Sequence, residues 1–419
     1  MKNWVWPNMT VALPTPALEA WRYSHLARAV ALVQPREACL APTLDRETLQ
    51  RLEAALPVVA GPHLVLWRGQ VVQALSPLDS LPAGVRVVSS PALPVAEPLD
   101  GLDALTTAGA VQVAIEGEVG VPLHLIHIGG GHDVATHVDI TLAPRAAATV
   151  VEHHVALADW AGFNHVQVTL QLGEQARLTH AVWAEAGAGC VLTRRQRATL
   201  ADRACYNGQA AQFGAGDGAW VRAEVHARLG TATEYGYTGL AAPRAGQHFD
   251  TTMTTHHVGE GNAVTVRQRN VIDGDGTHGG HAVFQGKFYV APDAQKTNAY
   301  MHCHNLLLHD GAKASHKPEL EIYADDVKCS HGAATGGLNP MQLFYLQARG
   351  FTPQAARALL VGGFMQEFVD AFPPALRPSL TNRVRRWLAG DALPAQDTPP
   401  DDMALLLGAW LQDAPHERM

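Results

Sequence analysis

Cys329 and His331 stand two residues apart at the end of an alternating run, Leu320, Ile322 and Ala324, and just before Gly332. Side chains two apart on an extended segment share a face. A thiol and an imidazole are therefore presented side by side where a strand ends. That pair suits a soft metal ion, a sulfur atom in transit, or a thiol activated by its neighbour. A second thiol lies 26 residues earlier, between two imidazoles, in His302-Cys303-His304. In a repeat architecture of about that period, Cys303 is expected to stack near Cys329 on the neighbouring coil. Cys303, Cys329 and His331 would then offer three ligands for iron or zinc. The competing expectation is that a buried free cysteine is simply a small core residue.

Other candidate chemistry is thinner. Nineteen of the 22 histidines fall between His124 and His331. Many, such as His137 and His165, sit at outward strand positions and read as polar ladders on a sheet face rather than ligands. Asp325 and Asp326 are adjacent, so on a strand they point to opposite faces and do not share one acid–base site. The chain carries no Gly-rich phosphate loop with its Lys and no Gly-x-Ser-x-Gly elbow, so it is not expected to hydrolyse ATP itself.

The elements that must position these residues fall into three parts: 1–95, 96–335 and 336–419. In the middle part His137-Val-Asp-Ile-Thr-Leu142 recurs as His165-Val-Gln-Val-Thr-Leu170, an offset of 28. Thr199-Leu200 follows at an offset of 30 from Thr169-Leu170, and Leu229 lies 29 beyond Leu200. A second alternating run sits between copies, as at Val150–Val155 and Ala176–Val182. Two strands per repeat without an intervening helix predict a mainly β protein with a parallel β-helix, or solenoid, core. Hairpin dipeptides such as Asn-Gly are scarce between the runs, which favours the solenoid over an antiparallel sandwich.

Solenoid ends need covers, and the flanking parts are expected to supply them. The first part reads as helical, with runs around Leu18, Trp21, Leu26 and Val30 and again over Leu44–Leu56, then a hairpin at Arg68-Gly69. In the last part Asn339-Pro340 opens a helix that stops at Gly350, and Thr352-Pro353 opens another. A third helical run spans Leu376–Leu388. Residues 393–402 read as a linker and Met403–Leu411 as a short terminal helix. Gly362-Gly363 inside a helix predicts close approach of another surface. Leu343, Phe344, Leu346, Phe364 and Phe368 then form either a packing face or a partner-docking face.

Bulk properties exclude some functions. The 419 residues carry Lys+Arg 31 against Asp+Glu 39, a net charge of −8 without a long basic run, so nucleic acid is not an expected partner. Nothing reads as a signal peptide or a membrane span. The five cysteines are odd in number and widely spread, Cys39, Cys190, Cys205, Cys303 and Cys329, which predicts free thiols and a cytoplasmic location.

At these same residues the chain resembles a known family. Gln295-Lys-Thr-Asn, Asn305-Leu-Leu-Leu, the run from Pro318 to Ala333, Leu343-Phe-Tyr-Leu and Ala348-Arg-Gly resemble the SufB/SufD family of iron–sulfur cluster assembly proteins. Glu19-Ala-Trp-Arg-Tyr-Ser, Leu64-Val-Leu-Trp-Arg-Gly, Leu81-Pro-Ala-Gly-Val and Pro122-Leu-His-Leu-Ile-His extend the likeness and look like the SufD branch. So does the ending Cys-Ser-His-Gly-Ala, where SufB has Glu-His-Glu-Ala. The resemblance implies a β-helix flanked by helical regions. It implies pairing with a SufB-like subunit and a SufC-like ATPase, the latter docked on Asn339 to Phe372, and allows a homodimer of the chain alone. It places Cys329 and His331 on the family's cysteine and histidine, the histidine being implicated in a transient nascent iron–sulfur cluster site shared with SufB. It implies an assembly scaffold rather than an enzyme. Cys303 falls where SufB carries a sulfur-accepting cysteine. A SufB-like sulfur-accepting subunit, or a structural partner without a ligand role, are therefore the alternatives.

Overall fold

Beyond residue 110 each alternating run forms one strand, and successive strands are dealt to two sheets in turn. A computed structural model describes residues 3–6, 9–32, 44–90, 99–104, 110–129, 134–157, 162–275 and 277–390. Sheet I runs in space from Val85–Ser90 through Ala110–Ile115, Val134–Leu142, Gly162–Leu172, Cys190–Leu200, Trp220–Leu229, His248–His257 and His281–Val290 to Lys313–Ile322. Sheet II runs from Gln70–Val71 and His63–Trp67 through Leu123–Gly129, Ala147–Ala156, Arg177–Ala186, Cys205–Gly214, Glu234–Ala241, Ala263–Ile272 and Asn298–Leu307 to Lys328–Gly336. From Ala110 onward neighbours in each sheet are parallel, giving a solenoid of about seven turns. Its narrow core is filled by the inward rows of the two sheets, for example Val138, Ile140, Leu170, Leu178, Leu200, Phe249 and Met301.

The true register differs by two residues from the apparent repeat at its start. Leu142 stacks on Leu172, Leu172 on Leu200 and Leu200 on Leu229, so His137 pairs with Gln167 and His165 with Ala135. A slip of two preserves the face of every side chain, which is why the inward rows are read correctly despite it. One corner of the winding is strict. Arg145, Gln175, Arg203, Ala232 and Lys296 all lie in the left-handed region, with φ of 62, 60, 58, 54 and 60°. Each donates its backbone N–H to the following coil: Arg145 to Glu174 at 2.8 Å, Gln175 to Asp202 at 3.0 Å, Arg203 to Thr231 at 2.8 Å, Ala232 to Glu260 at 2.7 Å, and Lys296 to Asp326 at 2.6 Å. The backbone strain of a Cβ there is offset by one interstrand bond per coil.

The flanking parts cover the sides of the solenoid rather than its last coil, a correction to the expected capping. The first residues are a two-stranded antiparallel hairpin, Asn3–Trp6 with Met9–Ala12, not a helix; Trp4, Val5, Thr10 and Val11 are strand formers. Helix α1 (Leu26–Leu32) follows a 3₁₀ turn at Glu19–Trp21, and α2 (Arg46–Ala54) is capped by Asp45, which accepts from the Thr48 N–H at 2.8 Å. Trp21, Leu26 and Val30 pack on Phe163, Val191 and Trp220 of the outer face of sheet I. Beneath them Arg195 is paired with Asp100, Asp103 and Glu224, and the Arg222 guanidinium lies 4.0 Å over the Trp21 ring. The expected hairpin forms at Arg68-Gly69.

Helices α3 (Pro340–Gln347), α4 (Pro353–Ala371) and α5 (Arg377–Leu388) follow the last strand. Val361, Met365, Phe368, Val384 and Trp387 pack on Phe213, Leu240, Val271 and Leu306 of the outer face of sheet II. Among the described residues nothing presses closely on Gly362 or Gly363: a Cβ at Gly362 would meet Leu388 at an ordinary 3.5 Å, and one at Gly363 would meet nothing within 4 Å. Cys39, the proposed linker at 393–402 and the proposed helix at Met403–Leu411 lie outside the described residues.

Candidate functional site

The last coil, Lys313–Ile322 and Lys328–Gly336, has one strand neighbour on each sheet, His281–Val290 and Asn298–Leu307. Among the described residues no strand pairs with its outward edges, and an open edge is the usual template for another chain. Pro318 and the charged Lys313, Lys317, Glu319, Glu321 and Lys328 interrupt those edges, which restrains indiscriminate pairing.

Cys329 stacks on Ala299 and His331 on Met301, both wholly buried in the core. Cys329 and His331 thus share one face, as the spacing requires, and continue the inward row. Among the described residues no further coil lies beyond them; Cys329 is half-buried against Ala294 and Ala324 and His331 is exposed. Gly332 leaves space for the His302 ring, whose Nδ1 would be 3.1 Å from a Cβ at that position. Burial raises the Cys329 thiol above its usual value, although a hydrogen bond with the Ala299 backbone counters it. Binding through sulfur here requires a metal to displace the proton.

The expected stacking of Cys303 on Cys329 does not occur. Cys303 pairs with Ala333, four positions farther along the strand and about 13 Å away at the strand rise. Its side chain is fully buried, with Asn270 Nδ2 at 3.8 Å and its own thiol donating to Asn305 Oδ1 at 3.6 Å. Burial pushes the thiol up to about 12. Cys303 is a core residue in this chain.

The five candidate docking residues divide. Phe344 is 65% exposed on α3, Leu343 and Leu346 are partly covered, and Phe368 is wholly buried. Phe364 is partly buried beneath the Arg269 guanidinium, 4.7 Å from its ring centre. An open apolar groove runs between α3 and α4, lined by Met341, Phe344, Tyr345, Leu346, Leu359 and Leu360.

A polar cluster inside the solenoid escapes the sequence reading. Glu152 accepts from Arg194 Nε at 2.9 Å and Nη2 at 2.7 Å, and contacts His180 Nε2 at 2.7 Å and His154 Nε2 at 3.1 Å. The His127 ring stacks on His154 with centres 4.6 Å apart. Burial would raise the Glu152 carboxyl, but Arg194, His154 and His180 hold it well below the usual carboxylate range. Burial lowers His127, His154 and His180 below the ordinary histidine value, against the Glu152 carboxylate, which raises them. The signal was available: Glu152 and His154 continue the parity of the apolar Ala148 and Val150 and so belong to the inward row.

Residues 126–364 match the family described as "SUF system FeS cluster assembly, SufBD core domain". The chain is similar to the iron-sulfur cluster assembly protein SufD of Escherichia coli, 34% identical over 65% of this chain and 64% of that protein. It is also similar to SufD of Bacillus subtilis, 24% identical over 64% of this chain and 62% of that protein. The chloroplastic protein ABCI7 of Arabidopsis thaliana is 46% identical over 26% of this chain and 23% of its own length. The matched stretch thus spans less than two thirds of either SufD protein.

Proposed function

This chain belongs to the SufBD family of SUF-system iron–sulfur cluster assembly proteins, and on that premise we propose that it acts as a SufD-like scaffold subunit. Its open solenoid end pairs with a SufB-like subunit, and the groove between α3 and α4 receives a SufC-like ATPase. The observation that carries this reading is the placement of Cys329 and His331 on the inward row of the last coil among the described residues. Two donors are too few to hold a cluster, so the partner supplies the rest. The nascent cluster is cargo assembled between the two chains.

ATP-driven movement of the ATPase passes through α4, whose buried face grips sheet II, and parts the two solenoid edges. Cys329 and His331 then meet sulfide and iron. The chain itself performs no hydrolysis and works in the cytoplasm; among the described residues no helix is long and apolar enough to cross a membrane. Alone, it pairs with a second copy through the same edge. The burial and protonated thiol of Cys303 argue against the SufB-like alternative.

The test is co-expression with SufB-like and SufC-like partners, followed by iron and acid-labile sulfide analysis. A three-component complex is expected, and His331→Ala keeps the complex while losing the cluster. Undiminished assembly by that variant removes the ligand role and leaves a structural partner.

A further inference from the structure

Deep in the solenoid, His127, Glu152 and His154 bring one donor atom each to within 4.8 Å of the others, the one such convergence of three His, Cys, Asp or Glu donors among the described residues. We propose that these three side chains hold a divalent transition-metal ion, zinc or ferrous iron. The site is separate from the open edge and does not rest on the scaffold reading.

Four observations converge. First, both ring nitrogens of His127 and Nδ1 of His154 have no hydrogen-bond partner, although the residues are only 5% and 4% exposed. A neutral imidazole carries one donor and one acceptor, and buried groups left unpaired are rare. At His127 a metal ion takes a lone pair that no described residue uses; at His154 it takes the Nε2 lone pair in place of the contact with Glu152, the ring proton moving to Nδ1. Second, Glu152 Oε2 lies 3.1 Å from His154 Nε2 and 3.8 Å from His127 Nε2. Tetrahedral zinc with bonds of about 2.0–2.1 Å sets its donors about 3.4 Å apart, between those two values. Third, Arg194 and His180 fix the carboxylate, as the partners behind a ligand do in metal sites. Fourth, a cavity of about 30 Å³ borders His127 and His154 and is also lined by Asn164, whose Oδ1 is unpaired. It has room for a water molecule beside the two imidazoles.

Two imidazoles and one carboxylate suit zinc or ferrous iron and poorly suit calcium or magnesium. The Arg194 cation opposes the incoming charge, so the affinity is lower than the same donors would give without it.

The experiment uses the full-length chain carrying Cys329→Ser and His331→Ala, stripped with chelator and titrated with zinc ion alone in a calorimeter. One saturable site per chain is expected. X-ray absorption at the zinc edge should show nitrogen and oxygen donors at about 2.0–2.1 Å without sulfur. His127→Gln and His154→Gln should each weaken binding by more than about 100-fold. No saturable site, a sulfur donor on the zinc, or a folded His127→Gln chain that binds unchanged overturns the proposal. Should the Gln variants fail to fold, the zinc-edge spectrum of the parent decides alone.

Discussion

Arg194 holds Glu152 by two parallel hydrogen bonds, at 2.9 and 2.7 Å, with both side chains shut away from solvent inside the solenoid. Desolvating two charges is costly, and removing one partner leaves the other buried without compensation. Arg194→Met is expected to destabilise the fold by about 3–5 kcal/mol, and adding Glu152→Gln to recover most of that loss. Urea unfolding of the parent, single and double variants measures it. Equal midpoints for parent and single variant would show that the pair is not desolvated.

Acid should weaken this protein early. Burial lowers His153, His165 and His248 to about 3. In the unfolded chain the same residues titrate at about 6.5. The folded values are depressed, so the unfolded state binds more protons throughout the window between them. Stability is then fully present above about pH 6.5 and lost as pH falls toward about 3, at up to about 1.4 kcal/mol per pH unit for each histidine. A urea midpoint that stays level from about pH 7 to pH 5 contradicts this linkage.

Thiol reactivity should rank by access. Cys190 is buried with its thiol pushed up to about 11, and Cys303 is buried with its thiol up to about 12, whereas Cys205 and Cys329 are partly exposed. In the native chain carrying Cys39→Ser, iodoacetamide is expected to label Cys205 and Cys329 first, and Cys190 and Cys303 only on unfolding. Peptide mass mapping over time reads the order. Early labelling of Cys303 would reopen the sulfur-accepting alternative.

Phe344 and Phe368 separate docking from packing. Phe344→Asp, on an exposed helix face, should shift stability by no more than about 0.5 kcal/mol while abolishing capture of a SufC-like ATPase. Phe368→Ala, in the interface between α4 and sheet II, should cost about 3–5 kcal/mol. Thermal melts and pull-downs of both variants check this. ATPase capture retained by a folded Phe344→Asp chain would exclude the groove.

Much of the architecture is legible in the residues themselves. Leu142, Leu172, Leu200 and Leu229 end successive strands of sheet I and stack in one row, so the period betrays the winding. The Cys303–Cys329 spacing misleads because 26 falls four short of the local coil: two ten-residue strands and the five-residue crossings at 308–312 and 323–327 make a turn of 30, so Cys329 stacks on Ala299. His165 looks outward by parity and is wholly buried all the same, because Leu102 and Arg195 cover that face. A single strand carries no trace of what lies over it. The Glu152 cluster stays hidden for a related reason, since its members come from three strands of sheet II and one of sheet I, with up to 67 residues between them.

The corner occupied by Arg145, Gln175, Arg203 and Ala232 also dictates where new sequence can be spliced. The crossings at 143–146, 173–176, 201–204 and 230–233 are equal in length, and each is stitched to the next coil by the same backbone bond. An extra residue there throws two coils out of step. On the opposite flank the crossings differ in length, three residues at 187–189 and six at 242–247, and 215–219 is exposed around Asp217 although Gly189 donates its N–H to the Asp217 carbonyl at 3.0 Å. A reporter loop or a circular-permutation break belongs on that flank, and the chain can grow there without unwinding its neighbours.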